Sequence, residues 1–354
     1  MKLECISVLS VVAVVLTWAY AQAAPNQSWI HPKAQRMASK EQGPYVNLGD
    51  GSVLAVGARH AMVSQDEGKT WKRYPLFKDA AKFLARPERA LIRTRDGVVV
   101  LAFLNQKELT RGKWDVRDNA QLKKFFLPTY VTRSLDEGKT WGPPQKIQDG
   151  WCGAVRSIIQ LKSGRVVLAG QDLMLDPGRH VVLSYVSDDN GKTWKASNLL
   201  DIGGAGSHGG TMEGTLAELT DGRLWFILRT TKGWFWEAFS TDQGLTWPKP
   251  KQSAIQSSTC CGQFTRLASG RLALLWNRSP EGKPYSKNSR EELSMALSTD
   301  DGKTWSKPVV IARDPGKRQS YPYMFERRPG EVWITTMQGR VRIKLLEKDF
   351  VPSE

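Results

Sequence analysis

Cysteine and histidine are scarce, with four of each in 354 residues. That leaves too few ligands for a multi-histidine metal centre and too few half-cystines for a disulfide-stapled scaffold. Acidic residues are also short: 35 Asp and Glu face 51 Lys and Arg, for a formal net charge of +16. A field of that sign draws nucleic acid, acidic membrane or acidic substrate. The basic residues are spread along the chain, however, and form no helix-turn-helix, RNP, KH or zinc-finger pattern, so nucleic acid is not an expected partner. There is no phosphate-binding loop and no G-x-S-x-G elbow, and the glycine-rich run Gly203 to Gly210 lacks the strand-to-helix setting of a dinucleotide site. No cofactor or metal is expected.

Long hydrophobic runs are absent too. The longest, Ile6 to Leu16, falls short of the ~18 to 20 residues of a membrane span, and no later segment does better. It follows Lys2 and precedes small residues at Ala19, Ala21 and Ala23, the pattern of a cleaved export signal. The expected organisation is therefore a signal over residues 1–24 and one domain over 25–354, secreted or periplasmic, with no stable membrane span and as a monomer. Removing Cys5 with the signal leaves Cys152, Cys260 and Cys261. Two readings stay open: a bridge from Cys152 to one of the others, or free buried thiols.

What the chain has in quantity is glycine, proline and tryptophan, at 31, 18 and 14 residues, and these recur in register. The box S-x-D-x-G-x-T-W occurs five times: Ser64 to Trp71, Ser134 to Trp141, Ser187 to Trp194, Ser240 to Trp247 and Ser298 to Trp305. Six two-residue turns sit between β-rich runs, at Asp50-Gly51, Asp96-Gly97, Ser163-Gly164, Asp221-Gly222, Ser269-Gly270 and Pro329-Gly330. Glycine there supplies the positive φ of a tight hairpin. Each repeat thus reads strand, turn, strand, loop, strand, box, strand, which is one propeller blade. The predicted fold is an all-β, six-bladed propeller of four-stranded antiparallel blades. The last blade has no box and three evident strands, so the segment near Trp29 is expected to supply its fourth and close the ring. The boxes lack EF-hand spacing, and their Ser, Asp, Gly and Trp are read as turn scaffold rather than calcium ligands.

Counting back eight residues from each glycine turn finds the starts of the innermost strands: Gln42, Glu88, Val155, Glu213, Cys261 and Tyr321. Counting back seven adds Arg89 and Arg156. Ionisable groups at these positions are either the wet lining of a channel or a substrate pocket.

The boxes resemble the Asp-box (BNR) repeats of the sialidase (neuraminidase) superfamily, whose members are six-bladed propellers. In the fourth repeat, Met212-Glu213-Gly214 through Asp221-Gly222-Arg223 to Arg229 is similar to the family segment carrying a glutamate that assists the nucleophile and an arginine of the substrate triad. Arg290 resembles another triad arginine, and Tyr321 falls where the family keeps its tyrosine nucleophile. Such a resemblance implies an exo-sialidase-like glycosidase acting on an anionic glycan, with Arg229 and Arg290 holding a sugar carboxylate. Arginine's planar fork suits that group, and a neutral tyrosine avoids repelling it.

Two departures stand out. The first repeat opens Glu41-Gln42-Gly43-Pro44, without the family's arginine, and runs from Arg59, which matches a pocket arginine, almost directly into its box, without the family's acid–base aspartate. Arg89 or Arg156 are candidates to complete the clamp, beside Glu88 and Gln42. Asp115 or Asp118, on the long loop Asn105 to Leu127, are candidates for the acid. That loop, with Trp114 and several basic residues, is either a lid over an anionic glycan or a solvated excursion. His208 reads as a loop histidine near the pocket. Two alternatives accompany the sialidase reading: a hydrolase of another anionic sugar, uronic or sulfated, and a noncatalytic propeller that binds glycan or protein.

Overall fold

A computed structural model describes residues 27–351 apart from 116–119, 122–124 and 279–288; the expected signal over residues 1–24 lies outside the described residues. The chain forms six blades of antiparallel strands. The first contains Tyr45–Asn47, Val53–Val56, His60–Ser64 and Lys72–Pro75, and the second Ala85–Arg93, Val99–Asn105, Thr129–Ser134 and Gln145–Gln148. The third contains Ile158–Gln160, Val166–Leu175, Gly178–Ser187 and Lys195–Ala196, and the fourth Met212–Glu218, Leu224–Arg229, Trp234–Ser240 and Lys251–Gln256. The fifth is built on Gln263–Arg266, Leu272–Trp276, Glu292–Ser298 and Val309–Arg313, and the sixth on Ser320–Arg328, Glu331–Gln338 and Arg342–Leu346. The first strand of each blade touches the first strand of the next, and the sixth returns to the first, so the inner strands enclose a channel.

Ring closure differs in one respect from the sequence expectation. Trp29–Ile30 adds a fifth strand to the fifth blade, pairing with Arg313 and Ala312. The fourth strand of the sixth blade is instead Gln35–Arg36, paired with Lys344 and Ile343. The N-terminal segment therefore stitches two blades together. The reason lies in its side chains: Ile30 and Ala34 pack on the apolar cluster between blades five and six, so the segment lies along that seam.

Central strands are buried on both faces and read as apolar runs, such as Val99 to Leu104 and Leu224 to Leu228. Their side chains fill six clusters, one in each gap between neighbouring blades. The core is thus distributed around the ring, and the channel is left free for polar groups.

All five boxes have the same internal wiring. The serine hydroxyl accepts from the glycine N–H at 2.8–2.9 Å and donates to the aspartate. That aspartate accepts from the threonine N–H at 2.8–2.9 Å and from the threonine hydroxyl. Both carboxylate oxygens are consumed inside the turn, which leaves the boxes structural. Trp71, Trp141 and Trp194 donate to the glycine carbonyl of their own box, while Trp247 reaches Ser184 of the third blade.

The glycines of these turns differ in what surrounds them, and this gives a test. A Cβ on Gly302 (φ +79°) would lie 2.1 Å from the Trp225 ring, whereas one on Gly330 (φ +76°) would meet nothing within 4 Å. Gly302→Ala is expected to lower the unfolding free energy by about 2–4 kcal/mol through strain and overpacking, and Gly330→Ala by only about 1 kcal/mol through backbone strain. Urea titration of the two variants measures the difference, and equal losses would contradict the steric account.

Candidate active site

Among the described residues, seven other than glycine have positive φ. Five occupy the same position in the five boxes: Glu67, Glu137, Asn190, Gln243 and Asp301. The other two are Glu213, at +30°, and Tyr321, at +58°. Neither belongs to a repeated turn, so the local chain is held strained at both places by its surroundings.

Glu213 sits at a break in pairing register between Met212 and Gly214, so its side chain leaves the ladder at the start of the fourth blade. Gly214 lets the strand lie directly on the Phe226 ring, since a Cβ there would lie 2.2 Å from it. Arg229 ends the neighbouring strand and pairs across from Met212, which brings its guanidinium beside the glutamate. Arg229 Nη1 donates to Glu213 Oε2 at 2.5 Å and to the Tyr321 hydroxyl at 3.1 Å. The Tyr321 hydroxyl donates to Glu213 Oε1 at 2.8 Å. Both members of the ion pair are buried, with side chains 4% and 8% exposed.

Electrostatics follow from this geometry. Burial pushes the Glu213 carboxyl up, but Arg229, the Tyr321 hydroxyl and Arg156 outweigh it and hold the group below its ordinary range, as a carboxylate. Burial and the Glu213 charge together push the Tyr321 phenol up, so it stays neutral and its proton points at Glu213. Cys260 and Cys261 lie behind Tyr321 in a small buried cluster.

These groups form part of the wall of a cavity of about 700 Å³. Arg290 and Arg318 line it as well. Arg290 is held by the Gln338 side chain at 3.1 Å and the Thr259 carbonyl, and its guanidinium lies 5.8 Å from the centre of the Tyr321 ring. The wall also carries Phe125, Trp151, His180 and His208. His180 Nε2–H donates to the Ser207 carbonyl, leaving Nδ1 to accept from Gln171 at 2.9 Å. Burial lowers its pKa to about 4, so the ring is neutral. Burial, and then Arg229, lower that of His208. Among the described residues of this wall, Glu213 is the only carboxylate.

The sequence candidates thus separate into groups. Glu213, Arg229, Arg290 and Tyr321 converge on the cavity. Arg89 and Arg156 are buried in the channel and are not part of its wall. Glu88 is paired with Arg86 at 3.1 Å, and Gln42 is partly buried with Nε2 unpartnered. Arg59 is exposed on the first-blade hairpin between Val56 and His60, away from the cavity wall. Asp115 is in a two-residue strand paired with Ala120–Gln121, and Asp118 lies outside the described residues. Cys152, Cys260 and Cys261 are all free and buried, which settles the question of a bridge.

His180, Gln171 and Arg318 had no flag in the sequence. The first two lie on the long third-blade hairpin, Val166–Leu175 with Gly178–Ser187, rather than on an inner strand. Only the length of that hairpin, ten residues in each strand, carries them to the cavity wall. Among the described residues, no helix is long and apolar enough to cross a membrane, and no group of three or more His, Cys, Asp or Glu is placed to hold a metal.

The family model described as BNR repeat-like domain matches residues 91–334. A sialidase from Bacteroides fragilis is 24% identical over 269 residues, which cover 69% of this chain and 47% of the relative, so the chain spans about half its length. Among solved structures, a Hadza microbial sialidase superposes with a TM-score of 0.65 at 18% identity, over 87% of this chain and 65% of its own. A protein of unknown function from Dyadobacter fermentans gives 0.62 at 17% identity, over 88% and 98%. At such identities the structural likeness carries the fold alone.

The buried ion pair makes a pH-dependent contribution whose sign is fixed. Because the folded-state pKa of Glu213 is depressed, its stabilisation is present above the ordinary carboxylate range and is lost as pH falls through the lowered value. Glu213→Gln is expected to cost roughly 3 kcal/mol near neutral pH by stranding Arg229, and less as pH falls below about 4. Denaturant unfolding of both proteins across that range tests this; a gap independent of pH would contradict an ionised Glu213.

Proposed function

The chain belongs to the BNR repeat-like family, and from that premise we propose that it is a sialidase-like glycoside hydrolase that removes a terminal anionic sugar from glycans. The observation that carries this reading is the contact of the Tyr321 hydroxyl with Glu213 Oε1 at 2.8 Å, with Arg229 bonded to both, at a cavity wall that also holds Arg290 and Arg318.

The chemistry runs as two displacements. Tyr321 Oη attacks the anomeric carbon while its proton passes to Glu213 Oε1; the glycosidic C–O bond breaks, and the leaving oxygen takes a proton from an acid at the cavity rim. Water then attacks the same carbon, gives its proton to the conjugate base of that acid, and frees Tyr321, which recovers its proton from Glu213. The balance is glycoside plus water to free sugar plus alcohol, with net retention. Charge explains the choice of nucleophile. A sugar carboxylate on the reacting carbon would repel an anionic nucleophile, whereas Tyr321 is neutral until it reacts.

Arg229, Arg290 and Arg318 supply the cationic wall for the sugar carboxylate, and Arg318 takes up part of what the first blade lacks. For the acid, Asp115 and Asp118 remain the assignments, and His208 shares the cavity wall. The leader-like segment over residues 1–24 supports a site of action outside the cytoplasm. One observation favours a second substrate class: the first blade contributes no arginine to the wall, which relaxes the demand for a carboxylate and admits a uronic or sulfated sugar.

Hydrolysis of a chromogenic sialoside tests the reading. Tyr321→Phe and Glu213→Gln are expected to lower turnover by about a thousandfold while leaving sialic acid affinity within a few-fold. Arg290→Lys is expected to weaken that affinity about tenfold, because lysine cannot form the planar fork. Turnover of uronic or sulfated substrates alone, with the same dependence on Tyr321, would change the sugar and keep the mechanism. No turnover of any anionic glycoside, with ligand affinity indifferent to Tyr321 and Glu213, would favour a glycan-binding propeller.

A further inference from the structure

The hydrolysis proposed above needs a group that gives a proton to the leaving oxygen and later takes one from water, and the present inference rests on that reading. Such a group stands at the cavity rim, where the leaving alcohol departs and water arrives. Among the described residues of the wall, few can do this. Glu213 is an anion committed to Arg229 and Tyr321, the tyrosine is the nucleophile, and arginine does not give up a proton near neutral pH. His180 is buried, with Nε2 on the Ser207 carbonyl and Nδ1 on Gln171. His208 is left. It lines the cavity, is exposed, and has one ring nitrogen, Nδ1, on Ser207 Oγ at 3.2 Å. Its Nε2 has no partner among the described residues.

The turn that carries His208 is fixed to the long third-blade hairpin by four hydrogen bonds. The Gly206 N–H donates to the Gly178 carbonyl at 2.9 Å, the His180 N–H to the Gly209 carbonyl at 2.9 Å, and the Thr211 N–H to the His180 carbonyl at 3.0 Å. The fourth runs from His180 Nε2–H to the Ser207 carbonyl at 2.9 Å. From there the bonding continues inward. His180 Nδ1 accepts from Gln171, and Gln171 Oε1 accepts from the backbone N–H of Glu213 at 3.4 Å. One chain of bonds therefore ties the His208 turn to the strained residue that supplies the carboxylate. His208 also lies within electrostatic reach of Glu213, Arg229 and Arg290.

We propose that His208 is the acid–base residue of the hydrolysis. In the first step its imidazolium gives the Nε2 proton to the glycosidic oxygen as the anomeric C–O bond breaks, and the sugar passes to Tyr321 Oη. In the second, the neutral Nε2 takes a proton from the attacking water as the bond to Tyr321 breaks, and the tyrosine recovers its proton from Glu213. The products are free sugar and alcohol, and every group returns to its starting state. Nδ1–H stays on Ser207 Oγ, so only Nε2 changes protonation. Charge supports the cycle. Partial burial and then Arg229 lower the His208 pKa, with Arg290 acting in the same sense and Glu213 against it. A sugar anion seated on the arginines offsets their effect, so substrate binding favours the imidazolium that the first step consumes.

Leaving-group dependence, measured on the full chain, tests the assignment. A nitrophenyl sialoside carries a leaving group that departs with little help, whereas the alcohol of sialyllactose must be protonated as it leaves. His208→Gln is expected to lower kcat/KM for sialyllactose about a hundredfold and for the nitrophenyl sialoside by less than about fivefold. The aryl activity that is kept also shows that the variant is folded. Should the wild type act on a uronic or sulfated sugar instead, the same pair of leaving groups is compared on that sugar. Equal losses on both substrates, meaning a structural role alone, or no loss on either, would overturn the assignment while leaving the hydrolase reading intact. The same split in Asp115→Asn or Asp118→Asn, with His208→Gln unaffected, would do so as well. A wild type inactive on every such pair would overturn the hydrolase reading and this assignment with it, an outcome seen before any substitution is made.

Discussion

A carboxylate enclosed by protein stays ionised only where a cation is fixed against it, and the contact of Arg229 with Glu213 meets that condition at the mouth of the channel. Much of the site depends on it. The ionised Glu213 gives the Tyr321 proton a destination, and the same guanidinium holds the tyrosine hydroxyl in reach. The strained backbone at Glu213 and Tyr321 is the local cost of aiming both side chains inward from strand starts that belong to different blades. The propeller offsets that cost by making everything around the site rigid: five internally wired turns at the outer ends, and apolar clusters in every gap between blades.

The wiring of the boxes also explains why so much of the fold was legible in the sequence. Each box is a local device in which serine, aspartate, glycine and threonine satisfy one another within eight residues, so the residue types must recur wherever the turn recurs. Strand ends and the positive-φ glycines fell close to where the repeat placed them. Ring closure was less legible. Trp29–Ile30 and Gln35–Arg36 are strands of two residues each, too short to carry a periodic pattern, and packing at the seam between blades decides which sheet each one joins.

A similar division applies to the site. Glu213 and Tyr321 are legible by register because inner strands begin at equivalent places in each blade, whereas Arg229 and Arg290 are legible only through the resemblance to the sialidase segments. Register does not tell the cavity side of the channel from its interior. Arg89 and Arg156 share the counting rule with the residue after Glu213, yet neither lines the cavity: the Arg89 side chain bonds to the Arg86 carbonyl and the Arg156 guanidinium stacks on Tyr323. Arg59 matched by motif but sits on an exposed hairpin, since the first blade has no loop to fold it back. The stretch of cavity wall with His180 and Gln171 comes from the length of one hairpin in the third blade, a property that no single residue encodes. Positive charge is concentrated accordingly: among the described residues the channel buries three arginines, Arg89, Arg156 and Arg229, and one carboxylate, Glu213.

The central claim is that Tyr321 forms a bond to the sugar, and covalent trapping measures it most directly. A sialosyl fluoride carrying a second fluorine next to the anomeric carbon reacts through its good leaving group but hydrolyses slowly, because the extra fluorine destabilises the oxocarbenium-like transition state. Peptide mass spectrometry of the treated protein should find one added sugar, on the peptide that contains Tyr321 and at that residue. A protein that turns over sialosides while the label appears on another residue, or on none, would contradict the account.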